Sequence, residues 1–164
     1  MWWSGPPPSK KKGRVTVRVI IQRVSQASVS VDDQTLGAIQ EGFMLLVGVH
    51  DDDNEETVDY MARKIAKMRI FADEEGKLNL DIKQVGGKIL SISQFTLYAR
   101  TRKGNRPSFV DAAQPDHGEK IYLALNQKLR EAYDLDVEEG QFGADMQVSL
   151  TNDGPVTIIL DSEE

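Results

Sequence analysis

Apolar positions fall along this chain in two periods and one unbroken run, and each predicts a different element. From Arg14 the period is two: Val15, Val17, Val19 and Ile21 alternate with Thr16, Arg18, Ile20 and Gln22. That is a strand with one apolar face, and Arg23 is read as its end. Ser28 to Val31 alternates again, and Asp32-Asp33-Gln34 after it has the residues of a hairpin turn. Phe43 to Val49 is apolar without interruption, which suits a strand covered on both faces. The period then lengthens. Val58, Met61, Ala62, Ile65 and Met68 recur at helical spacing behind Asn54, a good N-cap, and Glu55 and Glu56, which favour the positive end of the helix dipole. Lys64, Lys67 and Arg69 fall on the solvated side of that helix.

Ala72 to Lys77 is a polar turn around Gly76, followed by alternating Leu78, Leu80 and Ile82. Gly86-Gly87 reads as the turn of a hairpin whose second strand runs from Lys88 to Thr96. A second helix is predicted from Asp116, with Tyr122, Leu125, Leu129 and Ala132 on one stripe and Glu119, Lys120, Lys128, Arg130 and Glu131 in water. Met146 to Thr151 and Val156 to Leu160 then form a last pair of strands joined by a tight turn. Strands, helix, strands, helix, strands is an α+β order.

At 164 residues the chain is long enough for one domain with a real core, expected over residues 14–164. Residues 1–13 hold a proline triplet and a lysine triplet with no period. They read as a disordered extension or a lysine-rich arm for RNA, and their lack of an apolar stretch argues against export. There is no cysteine, so disulfides and thiolate chemistry are excluded. No apolar run approaches the roughly 20 residues of a membrane span, and a cytoplasmic protein is expected. His50 and His117 stand alone, so no metal or other cofactor is expected. The net charge of −6 argues against broad nucleic-acid binding, yet permits an enzyme that touches only an RNA end. Against that acidic background, Arg100, Arg102, Lys103 and Arg106 crowd one glycine-containing loop, a candidate contact for RNA phosphates.

Two short stretches carry the candidate chemistry. Ser93-Gln94-Phe95-Thr96-Leu97 closes a strand-like run, and Asn152-Asp153-Gly154-Pro155-Val156-Thr157 lies about sixty residues on. In the second, Asp153-Gly154 is a strong turn signal, while Pro155 has no N–H for a ladder. By frequency alone the Gly–Pro bond would be trans, since only about 5–6% of X–Pro bonds are cis in folded proteins. Together, in this order and spacing, the two motifs resemble the D-aminoacyl-tRNA deacylase family. The resemblance runs from about Arg18 to Leu160 and includes Ile21-Gln22-Arg23-Val24, Lys103 to Phe109, and Phe142-Gly143-Ala144-Asp145-Met146.

The resemblance implies a strongly curved, barrel-like β-sheet with two main helices packed outside, assembled as a homodimer. It implies hydrolysis of D-aminoacyl-tRNA, and of glycyl-tRNA because glycine has no side chain to exclude. Gly154-Pro155 would be cis and would enter the partner subunit's site, where its carbonyls meet the substrate amino group and leave no room for an L side chain. Arg23 would lie behind it. Phe142, Gly143 and Met146 would surround the terminal adenine, a stacking slot indifferent to the rest of the tRNA. Thr96, Gln94 and Phe95 are the candidate catalytic residues, with Ser93 beside the substrate. No nucleophilic triad can be built from these motifs, and Thr96 has no neighbouring base. Hydrolysis assisted by the substrate's own ribose 2′-hydroxyl, with backbone amides near Phe95 and Thr96 holding the oxyanion, fits this inventory. Two other readings share the motifs: a related deacylase that removes L-alanine with a trans Gly–Pro bond, and a non-catalytic dimer that binds RNA ends.

Overall fold

The computed structural model describes residues 17–162. The extension expected over 1–13 lies outside them, as do Arg14 to Thr16 at the expected strand start. The elements follow as β1 (Arg18–Val31), β2 (Gln34–Ile39), β3 (Gly42–Gly48), α1 (Glu55–Lys67), β4 (Phe71–Ala72), β5 (Leu78–Leu80), β6 (Lys88–Ser93), α2 (Pro115–Tyr133), β7 (Val137–Glu139) and β8 (Gln147–Asp161), with a 3-10 turn at Phe95–Tyr98 between β6 and α2.

β1 is the spine of the main sheet. It pairs antiparallel with β8 from Arg18 to Ser30. A strand has two hydrogen-bonding edges, so its other edge is shared by β3, which takes Arg18 to Val24, and β2, which takes Ala27 to Val31. β6 joins β3 in parallel and β7 joins β6 in parallel. A parallel neighbour needs a long crossover, and here the two helices supply both: α1 leads from β3 to β6, and α2 from β6 to β7. The result is the α+β, barrel-like curved sheet with two helices outside it that the resemblance implies.

Helix α1 begins where its residues predict. Asn54 accepts from the N–H groups of Glu56 and Thr57, and the Thr57 hydroxyl accepts from Asn54 N, closing a reciprocal cap. Met61, Ala62 and Ile65 of α1 and Leu125 and Leu129 of α2 pack on Val19, Ile21, Phe43 and Leu45 of the sheet. A second cluster of Val24, Val29, Met44, Leu90 and Ile92 fills the other face, and there Leu46, Met146, Val148 and Leu150 stay half-buried. β1 serves both clusters because its phase changes. Val24 to Gln26 on β1 faces only Asn152 to Thr151 on β8, so Ser25 is an extra residue that turns the following side chains over.

Several sequence expectations are corrected. Arg23 sits inside β1, not at its end, because pairing with β2 and β8 carries the strand on to Val31. Gln34 already belongs to β2, and the turn is made by Asp32 and Asp33 at φ 50° and 64°. Leu78–Leu80 pairs with Phe71–Ala72 in a separate two-stranded sheet and makes no hairpin with β6. β6 stops at Ser93, short of Thr96. Helix α2 opens one residue early, with Pro115 in its first turn, where a missing N–H costs nothing. Ala132 is exposed, and Ile121 is buried on that helix instead. Finally, Met146 to Leu160 is no hairpin: β8 is one continuous strand along β1, and the Gly–Pro motif is an excursion from it.

Candidate active site

The first motif is a strand end folded into a turn. Gln94 N donates to Val47 O at 2.8 Å, the last rung of the β3–β6 ladder, after which Phe95–Tyr98 winds into the 3-10 turn. Tyr98 is buried and anchors it, with the Arg18 guanidinium 5.2 Å from its ring and donating to Leu97 O at 3.0 Å. Asp161 holds Arg18 from the other side at 3.1 Å. A Cβ on Gly48 would lie 3.0 Å from the Tyr98 ring and 3.2 Å from Leu97 Cβ, so only glycine lets the turn sit this close to β3. Phe95 and Thr96 open the turn, and the opening N–H groups of a helical turn have no acceptor within it. The Thr96 hydroxyl is exposed and accepts from the Gln94 amide. A donor on that oxygen draws off its lone pair, leaving its proton free to be donated.

Beside this turn is a hollow of about 610 Å³. Ser93, Gln94 and Phe95 line one side, Phe142, Gly143 and Met146 another, and Phe109 a third. Phe95 and Phe109 meet edge to face at 5.1 Å, the arrangement ring quadrupoles favour. One glycine makes room for the opposite wall: a Cβ on Gly140 would be 2.6 Å from Met146 Sδ, whereas one on Gly118 of α2 would be in ordinary contact with the Phe142 ring at 3.4 Å. Tyr122 backs Phe142 at 6.3 Å between ring centres and donates to Ser91 O at 2.6 Å, tying α2 to β6 two residues before Ser93. Burial raises the Tyr122 pKa, so this phenol keeps its proton as a donor.

The second motif is a bulge. Gln22 and Val24 of β1 face Thr157 and Asn152 of β8, so Asp153 to Val156 stand opposite Arg23 alone. Asn152 closes the neck: its Oδ1 accepts from Val156 N at 3.0 Å and its Nδ2 donates to Thr157 Oγ1 at 3.0 Å. Gly154 takes φ +131°, and the Gly154–Pro155 peptide is cis, as the resemblance implies. Arg23 lies against the back of the bulge. Its Nε donates to Asp153 O at 3.0 Å and its Nη1 to Ile70 O at 2.8 Å.

The two motifs do not line a common hollow in one chain. Arg23 is level with Phe43 on β3, and Phe43 with Ile89 on β6, four residues before Ser93. At about 3.3 Å per residue and about 4.8 Å per strand, this puts them roughly 13 Å apart along the strands and 14 Å across them.

The cationic loop splits into two parts. Arg100 is bound to Asp111 through both side chains, with Nη2 donating to Oδ1 at 2.6 Å, and this bond raises its pKa. Arg102, Lys103 and Arg106 are exposed at the loop tip. Both histidines are engaged elsewhere: His50 Nδ1 accepts from Asp52 N, and His117 Nε2 meets Asp53 O at 2.8 Å. Among the described residues no cluster of His, Asp or Glu could hold a metal ion, and no helix is long and apolar enough to cross a membrane. Sequence reasoning missed Arg18, Gly48, Phe109 and Tyr122 in this region. Phe109 left a signal as part of the Lys103–Phe109 segment, and Tyr122 was read only as part of the apolar stripe of the second helix.

Comparison with known proteins agrees with this architecture. The family model described as D-Tyr-tRNA(Tyr) deacylase matches residues 20–161. A D-aminoacyl-tRNA deacylase of Bifidobacterium animalis subsp. lactis (strain AD011) is 54% identical over 157 residues, covering 90% of this chain and 98% of that protein. Among solved structures, the c-Myc DNA unwinding element binding protein superposes with a TM-score of 0.81 at 39% identity, over 87% of this chain and 97% of the other. A probable eukaryotic D-amino acid tRNA deacylase shares the fold with a TM-score of 0.78 at 19% identity, over 89% and 99%. The chain belongs to the D-aminoacyl-tRNA deacylase family, and with it to the carboxylic ester hydrolases.

Proposed function

We propose that this enzyme hydrolyses the ester of D-aminoacyl-tRNA and of glycyl-tRNA in the cytoplasm, as a homodimer whose two subunits build each site together. The separation of the two motifs carries this reading. A Gly–Pro wall that lies about 13 Å along and about 14 Å across from the Gln94–Tyr98 turn cannot filter substrates in its own chain. The bulge of a second copy can.

In each site the terminal adenine stacks between Phe142 and Met146 over Gly143. The ester carbonyl meets the opening amides of the turn, Phe95 and Thr96, which hold the developing oxyanion. Thr96, with Gln94 on its oxygen, donates its proton and positions the ester, and Ser93 supports the ribose. The ribose 2′-hydroxyl assists the attacking water, so no protein base is required. Gly154 and Pro155 of the partner chain accept from the substrate ammonium through their carbonyls, and the backbone there excludes an L side chain. Arg23 keeps that backbone in place. Arg102, Lys103 and Arg106 meet tRNA phosphates, while Arg100 holds the loop.

Mixed dimers test this arrangement. Phe142→Ala and Gly154→Ala each inactivate the homodimer, one at the adenine wall and the other at the partner's wall. Co-expressed, they form dimers with one intact site and recover roughly a quarter of wild-type D-tyrosyl-tRNA hydrolysis by random pairing. Recovery at the level of the two separate variants would overturn the shared site. Wild-type hydrolysis of L-tyrosyl-tRNA as fast as of the D form would overturn the chiral filter.

A further inference from the structure

We propose that the 100–110 loop holds a second nucleotide subsite, which takes the nucleotide preceding the terminal adenosine of the tRNA 3′ end. The proposal rests on the deacylase reading above and adds a residue-level site to it.

The loop between the 3-10 turn and α2 is pinned at its base. Arg100 N donates to Ser108 O at 2.7 Å, Ser108 N donates back at 2.9 Å, and the Arg100–Asp111 ion pair closes the same end. On this loop lies a hollow of about 700 Å³ lined by Arg100, Thr101, Arg102, Lys103, Ser108 and Val110. The Arg100 charge is answered by Asp111. Among the described residues Arg102 and Lys103 have no ion-pair partner, and no carboxylate lines the hollow. Two unanswered cations in a chain of net charge −6 mark a place for an anion. The remaining lining is two hydroxyls, Thr101 and Ser108, and an apolar side chain, Val110, left 69% exposed. A phosphodiester carrying a sugar and a flat base matches all three kinds of group; a free phosphate leaves the apolar side chain unused.

The position of the hollow decides which nucleotide it takes. Ser108 and Val110 line it, while Phe109 between them lines the 610 Å³ hollow of the candidate active site. One stretch of chain is therefore the wall between two cavities, with Phe109 lining one and its neighbours Ser108 and Val110 the other. With the terminal adenosine on the Phe109 side, its 5′-phosphate crosses this wall toward Arg102 and Lys103. The preceding sugar and base then rest on Val110, Thr101 and Ser108. Arg106 does not line this hollow and is left for phosphates further along.

Binding of unreactive probes tests the subsite without relying on turnover. Adenosine, 5′-AMP and the dinucleotide CpA are titrated into the full-length protein by calorimetry at low salt. CpA is expected to bind about tenfold or more tighter than adenosine, with 5′-AMP between them, because charge-assisted contacts and base contacts each add affinity. The Arg102→Gln/Lys103→Gln variant brings CpA to within about threefold of adenosine, and Lys64→Gln/Lys120→Gln, an equal loss of charge on the exposed faces of α1 and α2, keeps the wild-type ratio. Equal binding of CpA and adenosine, or a CpA advantage that survives the double variant, overturns the subsite. CpA no tighter than 5′-AMP, or inorganic phosphate displacing CpA completely, also overturns it, by reducing it to a point contact for any anion. Failure of the deacylase reading shows separately, as a wild-type protein that binds CpA but leaves D-tyrosyl-tRNA intact.

Discussion

The Gln94–Tyr98 turn and the Asp153–Val156 bulge are both made of backbone, yet they are held in opposite ways. The turn is pressed into the molecule: Tyr98 is buried beneath it, Gly48 lets β3 approach it, and Arg18 clamps Leu97 O from the side. The bulge is pushed out of a strand and held by one arginine from behind and one asparagine at its neck. A recess needs many walls, because every group around the substrate must be fixed. A protrusion needs only a rigid backbone and one strong brace. The difference suits a receptacle and a wall, and it makes the bulge the more sensitive of the two to a single change.

The largest effect is therefore expected at Gly154. A Cβ there would stand 2.8 Å from Val156 Cγ2 and 3.0 Å from Arg23 Nη2, on a backbone at φ +131°. Gly154→Ala displaces the wall and lowers D-aminoacyl-tRNA hydrolysis by about two orders of magnitude, the usual result of an ångström-scale misplacement. Circular dichroism stays that of the wild type, since the bulge is exposed. A fully active Gly154→Ala would make the bulge an ornament of the strand.

Removing the brace comes next. Arg23→Ala deletes donors to Asp153 O and Ile70 O, costing about 1–3 kcal/mol of stability and roughly tenfold in activity. L-aminoacyl-tRNA becomes a better substrate relative to D as the wall loosens. Arg23→Lys does not restore the ratio, because one ammonium cannot span both carbonyls. An unchanged D/L ratio in Arg23→Ala, measured in parallel time courses, would show the brace to be structural only.

On the turn, Thr96→Ala removes one donated hydrogen bond and lowers turnover about tenfold, with no acyl-enzyme detected in the wild type by quenched-flow mass spectrometry. A loss of several orders of magnitude together with a trapped acyl-threonine would make Thr96 a nucleophile. The smallest effect is expected far from both motifs. Asn54→Ala removes the α1 cap and lowers stability by about 1 kcal/mol, a fall in Tm of about 2–4 °C, with kcat/KM unchanged.

Local rules were enough to read much of this molecule from its residues. The cap of α1 at Asn54, the apolar stripe Val58-Met61-Ala62-Ile65, the doubly covered strand at Phe43 and the turn at Asp32-Asp33 all depend on neighbours within a few positions. The two motifs were legible as well, because each is a contiguous run of residues. Pairing was not. Whether Leu78–Leu80 joins β6 or the two-residue β4, and whether Met146 to Leu160 folds back or runs straight along β1, depends on which distant edge is free. Alternation along a strand is the same for every neighbour. An Asn-Asp-Gly-Pro run satisfies a hairpin turn and a strand bulge equally well until Arg23 and the continuous edge of β1 choose the bulge.

The same limit divides the site. The kinds of residue at Ser93 to Thr96, Asn152 to Thr157 and Phe142 to Met146 were given by the chain itself, along with the absence of cysteine and of any histidine within the motifs. Tertiary structure alone decided that Arg100 answers Asp111, that Phe109 completes the wall facing Phe95, and that Gly48 and Gly140 are spaces for Tyr98 and Met146. Those are contacts between residues six to fifty positions apart, brought together by packing. Their energies depend on shape and distance in three dimensions, which no period along a sequence encodes.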